Sequence, residues 1–523
     1  MATPGRVTGP PGKSEDGPAS KDCQQCKRRR IHCDRAQPAC GKCLKAKLHC
    51  PGYGLSLRWT NGVASRGRFK GMEVPVLNAD TKKSSSSPNP NKVTEPSPKP
   101  ASLAPPTQYP PSLSSIEAQL QPAITDLDTP IPELLGMFTA QQLLDHYANH
   151  IAGSQVWVDS PDNPYRKLIV PLARQRPVLL LAIMAIAAEH LSAQSEKYAC
   201  LSKPAQSCRD AVIAMVTQRL RYATQQAAQG EDLSEHIDPI SAESMLASML
   251  LLCNYELVNP QSTAWQTHLQ AARTLISTLA TSYESHNELF TFLRNQFYIM
   301  HVFACTTTFQ PLIPISTPFT GDGGASDIFL DYMKILDQVT IWERDLFEAS
   351  LLRIHQPLHI QEHISIATLR DRFEQARGRT LALSGPLPFA TAGARRDFTR
   401  LAEIYHEAGL LYAYRCLYSH RSMYIDVAYS SGRLFEVFSA LEDKAACMQN
   451  LVWPLFIAGT ESWGNLERQG VVLATMREAI EKMGFQNCEQ ALVFLRELWK
   501  GPEQNWLVLA RQWEARGQRF LVV

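Results

Sequence analysis

Six cysteines dominate the chemistry open to this chain: Cys23, Cys26, Cys33, Cys40, Cys43 and Cys50. They repeat one half-motif, Cys-x2-Cys-x6-Cys, twice, with six residues between the copies. Each half can place two thiolates one helical turn apart and return a third after a short loop. Zinc asks for four ligands in a tetrahedron, and soft thiolates suit it. Two zinc ions need eight ligand bonds, and six thiolates supply eight if two of them bridge. That arithmetic, with the internal symmetry, favours a binuclear centre over one four-thiolate site with two spare thiols. A centre closed by thiolates leaves no position for a reactive water, so its metal is structural rather than catalytic.

The elements that hold these sulfurs must be short. Little beyond Ile31, Leu44 and Leu48 could form an apolar core, so metal binding has to supply the folding free energy, about 10 kcal/mol or more per structural zinc. Four consecutive cations, Lys27, Arg28, Arg29 and Arg30, follow Cys26 and are expected on a helix whose start is pinned by metal. Arginine in a major groove bonds guanine O6 and N7 bidentately, worth about 1–3 kcal/mol of discrimination. Lysines and arginines elsewhere in such a module hold phosphates and fix register without reading sequence. Double-stranded DNA is the partner this chemistry fits. Single-stranded RNA fits less well, because the module lacks aromatic side chains on which bases stack. The same basic run could serve as a nuclear localisation signal. Metal storage requires neither an arginine-rich helix nor a large body behind it.

The spacing, together with Lys27-Arg28-Arg29-Arg30-Ile31-His32 in the first loop, Asp34 after the third cysteine and Pro38 two before the fourth, resembles the fungal Zn2Cys6 cluster family. The resemblance implies two zinc ions per chain, with Cys23 and Cys40 as bridging ligands and a short helix and strand in each half. Pro38 matches the proline that turns the loop between the halves, and His32 stands where the family usually has Lys or Arg. It further implies recognition of a CGG-like triplet by the end of the first helix. That makes Arg29 and Arg30 the base-reading candidates and Lys27, Arg28, Lys42, Lys45 and Lys47 the phosphate contacts.

Charge divides along the chain as a polyanion-binding head would require. Up to Lys70 fifteen basic side chains face four acidic ones, a net +11, and everything beyond carries −9; a basic head thus precedes an acidic body. Residues 1–20 are a Gly, Pro and Ser-rich tail without the apolar core of a signal peptide. The longest apolar run, Val178 to Ala188, is too short to cross a bilayer. A soluble, intracellular protein is expected, localised to the nucleus, and in a reducing setting clustered cysteines imply metal rather than disulfides.

The expected organisation is a disordered tail over 1–20, the cluster domain over 21–53, a basic strip and Ser/Pro-rich disordered linker over 54–130, and a large all-α regulatory domain over 131–523. Helical periodicity marks Phe138–Ile151, Val178–Leu191, Ala211–Ala227, Ala242–Leu257, Trp265–Ala280, Leu289–Ala304, Phe398–Tyr418, Leu434–Met448, Gly470–Met483 and Cys488–Trp499. In Ala242–Leu257 the side chains of Met245, Met249, Leu252 and Cys253 share a face, with Ser241, Glu243 and Glu256 as polar flanks. Asn163-Pro164-Tyr165-Arg166 through His190-Leu191, Met245 through Ala272, and Trp453-Pro454-Leu455-Phe456-Ile457-Ala458-Gly459 with Arg468 and the Leu495–Trp499 ending resemble the fungal-specific regulatory domain. Its branch similar to acriflavine-sensitivity-control and arginine-catabolism regulators also fits Pro51-Gly52-Tyr53 and Leu57-Arg58-Trp59.

The body carries no Gly-x-Ser-x-Gly, Walker loop, dinucleotide fingerprint or His-Glu-x-x-His, so an enzyme is not expected. Gly321-Asp322-Gly323-Gly324 is a loop, His190, His268, His301 and His355 are scattered, and Cys305 and Cys416 fit apolar packing. Aromatic residues in Phe292–Phe303 suit a core, with a ligand pocket as the other reading. Acidic activation segments are candidates at Glu442-Asp443 and Thr125–Glu133. Leu113, Ile116 and Leu120 give a fragment of apolar spacing that Pro122 stops, short of a coiled coil; a homodimer would form through the body. The resulting expectation is a zinc-dependent regulator of RNA polymerase II transcription in a fungal nucleus, with duplex DNA as partner and a metabolite effector and the transcription machinery as further ones. The alternative is a helical scaffold or enzyme whose zinc module makes protein contacts.

Overall fold

A computed structural model describes residues 23–36, 40–46, 48, 50, 131–228, 239–259, 262–279, 288–309, 327–352, 365–418 and 423–523. They fall into two compact units, one within Met1–Pro105 and one within Pro106–Val523. The first is built on two short helices, α1 (Gln24–Arg28) and α2 (Gly41–Lys45). The strand expected in each half is not found among the described residues. Pro38, the basic strip from Arg58 to Lys70, the linker, the Leu113–Pro122 fragment, Gly321–Gly324 and His355 lie outside the described residues.

The second unit is all-helical among its described residues. Its helices begin and end where local chemistry dictates. Thr139 and Gln142 form a reciprocal capping box that starts Ala140–His146. Asn465 caps Leu466–Met483, which Gly484 ends in the left-handed region at φ 71°. The segment expected as Leu434–Met448 is instead a helix over Tyr424–Ser439, followed by 3-10 turns over Lys444–Ala446 and Met448–Asn450. The reason is Asp397, whose carboxylate accepts the backbone N–H groups of Glu442 and Asp443 and so diverts them from helix. Arg396 and Arg400 pair with Glu442. This acidic dipeptide is therefore part of a folded, ion-paired turn and not a free activation segment.

Two hydrophobic cores share one helix. Glu288–Thr307 gives Phe290, Phe292, Leu293, Phe297 and Met300 to the first core and Tyr298, Ile299, Val302 and Phe303 to the second. The chain's last residues join both cores again, Leu521 entering the first while Phe520 and Val522 enter the second. Thr307 and Asn487 hold this extended segment through the carbonyls of Phe520 and Leu521, at 3.0 and 2.9 Å.

Two expectations about the first core change. The Val178–Ala188 run belongs to an 18-residue helix, Pro177–Gln194, long and apolar enough by composition to cross a membrane. Here it is a core helix: every side chain from Leu179 to Ala188 is buried, against Ser202–Ala228 and Pro239–Leu257. From Ala242 onward Pro239–Leu257 is itself enclosed on all sides, and its supposed polar flanks Glu243 and Glu256 are buried while Ser241 is half-buried. Glu256 is tolerated because Ser262 donates to it at 2.5 Å and His268 lies 3.4 Å away. Although burial opposes ionisation, these bonds hold its carboxyl below the ordinary range.

Candidate metal centre

Cys23 and Cys40 occupy equivalent positions. Each is the N-cap of its helix, and each sulfur accepts the N–H of the cysteine three residues on, at 3.4 Å from Cys26 and 3.3 Å from Cys43. A cysteine can replace the usual Ser or Asp here because its sulfur sits where a capping acceptor is needed. The helices also end alike. Arg30 N–H bonds Lys27 O at 3.3 Å and Ile31 N–H bonds Cys26 O at 3.1 Å, a Schellman closure with Arg30 in the left-handed region at φ 54°. In the second half Leu48 N–H reaches Cys43 O at 3.0 Å, the counterpart of the Ile31 bond. The repeat seen in the cysteine spacing is thus a repeat of backbone structure.

These two turns gather the sulfurs. Cys23 and Cys40 lie 3.6 Å apart, Cys26 and Cys40 3.6 Å, and Cys23 and Cys43 3.8 Å. Four ligands at the Zn–S distance of about 2.3 Å stand about 3.8 Å from one another at the corners of a tetrahedron, so the spacing fits zinc. Cys40 belongs to two groupings, one with Cys23, Cys26 and Cys43 and one with Cys33 and Asp34. Cys33 interacts with the thiols of both Cys40 and Cys23. Cys50 closes the set, its sulfur 3.5 Å from the backbone nitrogen of Cys40. Ile31 and Cys50 pack against the five fully buried cysteines.

Burial disfavours the thiolate form at Cys23, Cys26 and Cys43. Burial and neighbouring thiols push Cys43 up to about 12 and Cys26 higher still. Cys33 is lowered to about 7 although burial opposes it, through backbone groups of Cys23 and Arg35 and the adjacent thiols. Divalent ions reverse the balance: thiolates become ligands and the protons leave.

Asp34 joins the halves. Its Oδ1 accepts the N–H of Gly41, the first residue of α2, at 3.1 Å. A Cβ on Gly41 would stand 2.7 Å from Asp34 Oδ2, so any other residue there requires the carboxylate to shift. Gly41 is not among the residues that the cysteine spacing marks; an Asp directly after Cys33 and a Gly directly after Cys40 are its signal in the sequence.

The cations differ from expectation in one respect. Only Lys27 and Arg28 lie within α1; Arg29 is its C-cap and Arg30 forms the left-handed turn beyond. The metal loop demands the change, because Cys33 must return to the sulfur cluster and a continued helix would carry it away. Lys27, Arg29, Arg30, Lys42 and Lys45 are exposed. The side chain of Arg28 and all of Lys47 lie outside the described residues.

Residues 21–60 match the model of the fungal Zn(2)-Cys(6) binuclear cluster domain, and residues 142–515 match the fungal specific transcription factor domain. The chain belongs to the fungal-specific transcription factor family. Its cofactor is accordingly a pair of zinc ions, held by the sulfur-rich module. Both families are transcription-factor domains rather than enzymes. Among related proteins of this family, acriflavine sensitivity control protein acr-2 of Neurospora crassa is 26% identical over 334 residues, covering 52% of this chain and 54% of that protein. The chain thus spans about half the length of this relative. No solved structure matches it.

Among the described residues of the fungal-specific domain, His190, His268 and His301 join no grouping of metal-ligand spacing. His301 and Cys305 meet on one helix, with Cys305 Sγ 3.6 Å from His301 Nε2. Burial lowers the imidazole to about 4 and pushes the thiol up to about 12, the opposite of an activated pair.

Proposed function

We propose that this chain is a DNA-binding regulator of RNA polymerase II transcription in a fungal nucleus. Cys23, Cys26, Cys33, Cys40, Cys43 and Cys50 hold its two zinc ions, and the turn ending α1 reads a CGG-like triplet. Cys23 and Cys40 are the bridging ligands in this reading. Their 3.6 Å separation, their matching N-cap positions and the place of Cys40 in both ligand groupings support that role.

The observation that carries the DNA reading is an asymmetry between two halves with the same backbone. Where the first has Lys27, Arg28, Arg29 and Arg30, the second has Leu44, Lys45, Ala46 and Lys47. Of these two matching stretches only the first contains arginine, and its last member, Arg30, holds a left-handed conformation that costs about 1–2 kcal/mol outside glycine. A strained, exposed arginine at the end of a metal-pinned turn suits base contact. Lys27, Arg28, Lys42, Lys45 and Lys47 take the phosphates.

Fluorescence anisotropy with the zinc-loaded chain tests this. A CGG-bearing duplex should bind more tightly than one with the triplet permuted. Arg30→Gly, which relieves the left-handed backbone, should keep both zinc ions and lose about tenfold of that discrimination. Lys45→Ala should weaken both duplexes equally and reduce the salt dependence by about one phosphate contact. Equal affinity of the native chain for the two duplexes contradicts the proposal.

A further inference from the structure

The two cores of the helical body do not close completely where they meet. Between them lies a cavity of about 90 Å³, bordered by Ile299, Met300 and Phe303 of the shared helix and by Trp157, Tyr405 and Trp453. A second recess of about 350 Å³ adjoins it, sharing Ser154, Trp157, Gln449 and Met483 as walls.

Two hydrogen-bond donors at this cavity have no partner. Gln155 Nε2 and Trp157 Nε1 are both shielded from solvent and unpaired, and both residues line it. Buried indoles ordinarily find acceptors. In this body Trp453 donates to Thr306, Trp499 to the Gly459 carbonyl and Trp513 to Glu497. The amide oxygen of Gln155 is occupied by the Tyr147 hydroxyl at 2.7 Å, which leaves its nitrogen as the unpaired group.

The wall that carries these donors is fixed. Gln449 and Asn450 donate to the carbonyls of Val156 and Trp157 at 3.3 and 2.8 Å, and Tyr405 secures the Asn450 carbonyl at 3.0 Å. Phe329 stacks on Trp157 with centroids 4.4 Å apart, from a left-handed backbone at φ 62°. Two π-helical turns, Tyr147–Ile151 and Tyr165–Ile169, contribute Tyr147 and Tyr165 to the same region. Strained backbone and π turns gather at functional sites more often than elsewhere.

We propose that this cavity and its adjoining recess bind a small, uncharged, planar molecule of one or two fused rings that presents a carbonyl or ring-nitrogen acceptor to Trp157 and Gln155. The aromatic walls favour a flat ring. Among the described residues lining the inner cavity none bears an acidic or basic side chain, so the part of a ligand placed there is uncharged, whereas the adjoining recess is also lined by His150, Asp159, Asp397 and Lys482. The inner space is below the ~150 Å³ that accommodates benzene in an apolar cavity, and the adjoining recess reaches the lower end of the ~300–1,000 Å³ range of ligand sites. Such a ligand touches both cores at once and stabilises their junction. The proposal is independent of the DNA reading.

Calorimetric and thermal-shift titration of the full, zinc-loaded chain with 2-quinolinone tests it. Saturable binding is expected with a dissociation constant of about 1 mM or tighter, with a melting temperature that climbs as ligand is added. Naphthalene, which lacks the acceptor, and N-methylquinolinium, which adds charge, should bind at least about tenfold more weakly. Trp157→Phe keeps an aromatic ring, smaller than indole, and removes the donor; it should weaken binding at least about fivefold while the circular dichroism stays native. Gln296→Trp, from a half-buried position on the cavity wall, should abolish binding. Ordered water alone in the cavity, seen as no saturable response to 2-quinolinone, overturns the proposal. So does undiminished binding in both variants, or naphthalene binding as tightly as 2-quinolinone.

Discussion

Asp397 shows how one buried side chain organises its surroundings. Only 1% exposed, it accepts the N–H of Glu442 at 3.0 Å and of Asp443 at 2.6 Å, with Arg400 at 2.7 Å. Burial opposes ionisation, yet these donors hold its carboxyl below the ordinary range. A depressed folded-state pKa contributes stability above the unfolded value near 3.9 and loses it as pH falls through the folded value. Asp397→Asn should therefore cost about 1–3 kcal/mol near neutral pH. The difference from native should shrink below about pH 4, as read from urea midpoints across pH. No local pattern revealed this carboxylate, because its backbone partners lie some 45 residues away, whereas the six cysteines were legible from spacing alone. At the metal, the proposed bridging role of Cys40 predicts that Cys40→Ala removes both zinc ions, since its sulfur would serve each. A mutant that keeps one intact tetrahedral site by mass spectrometry would assign the bridge elsewhere.

Among elements, close approach between helices is governed by single small residues. Gly409, in Ala392–Leu417, faces Phe373 of Ile366–Leu383, and a Cβ there would stand 2.4 Å from the ring. Alanine gains about 1 kcal/mol of helix propensity over glycine, but forcing a rigid ring aside costs about 1–3 kcal/mol. Gly409→Ala should lower the melting temperature, while Gly378→Ala, in open space on the facing helix, should raise it or leave it unchanged. Differential scanning calorimetry of the pair separates packing from propensity. Periodicity found amphipathic helices such as Trp265–Leu279 and Cys488–Lys500 within a residue of each observed end. It passed over Leu330–Leu351, Ile366–Leu383 and Trp506–Ala515. Val452–Thr460 is buried at every position; a helix enclosed on all sides has no polar face to set a period. The left-handed turn at Arg30 was hidden for another reason: glycine signals such a turn from composition, and arginine does not.

At the scale of the whole molecule, metal and apolar burial stabilise separate units. The cluster has five buried cysteines and almost no other core, while the body has two hydrophobic cores and takes none of the six clustered cysteines. Chelation with 1,10-phenanthroline should abolish duplex binding and unfold the N-terminal module, yet leave the main thermal transition of the body and most helical circular dichroism in place. Simultaneous loss of both would mean that the body depends on the metal. Paired ions caged by sulfur are tested most directly by X-ray absorption with metal counting on the intact chain. Two zinc ions per chain, each with four sulfur neighbours at about 2.3 Å, is the predicted result. A single zinc per chain, or nitrogen and oxygen in the first coordination sphere, would contradict it.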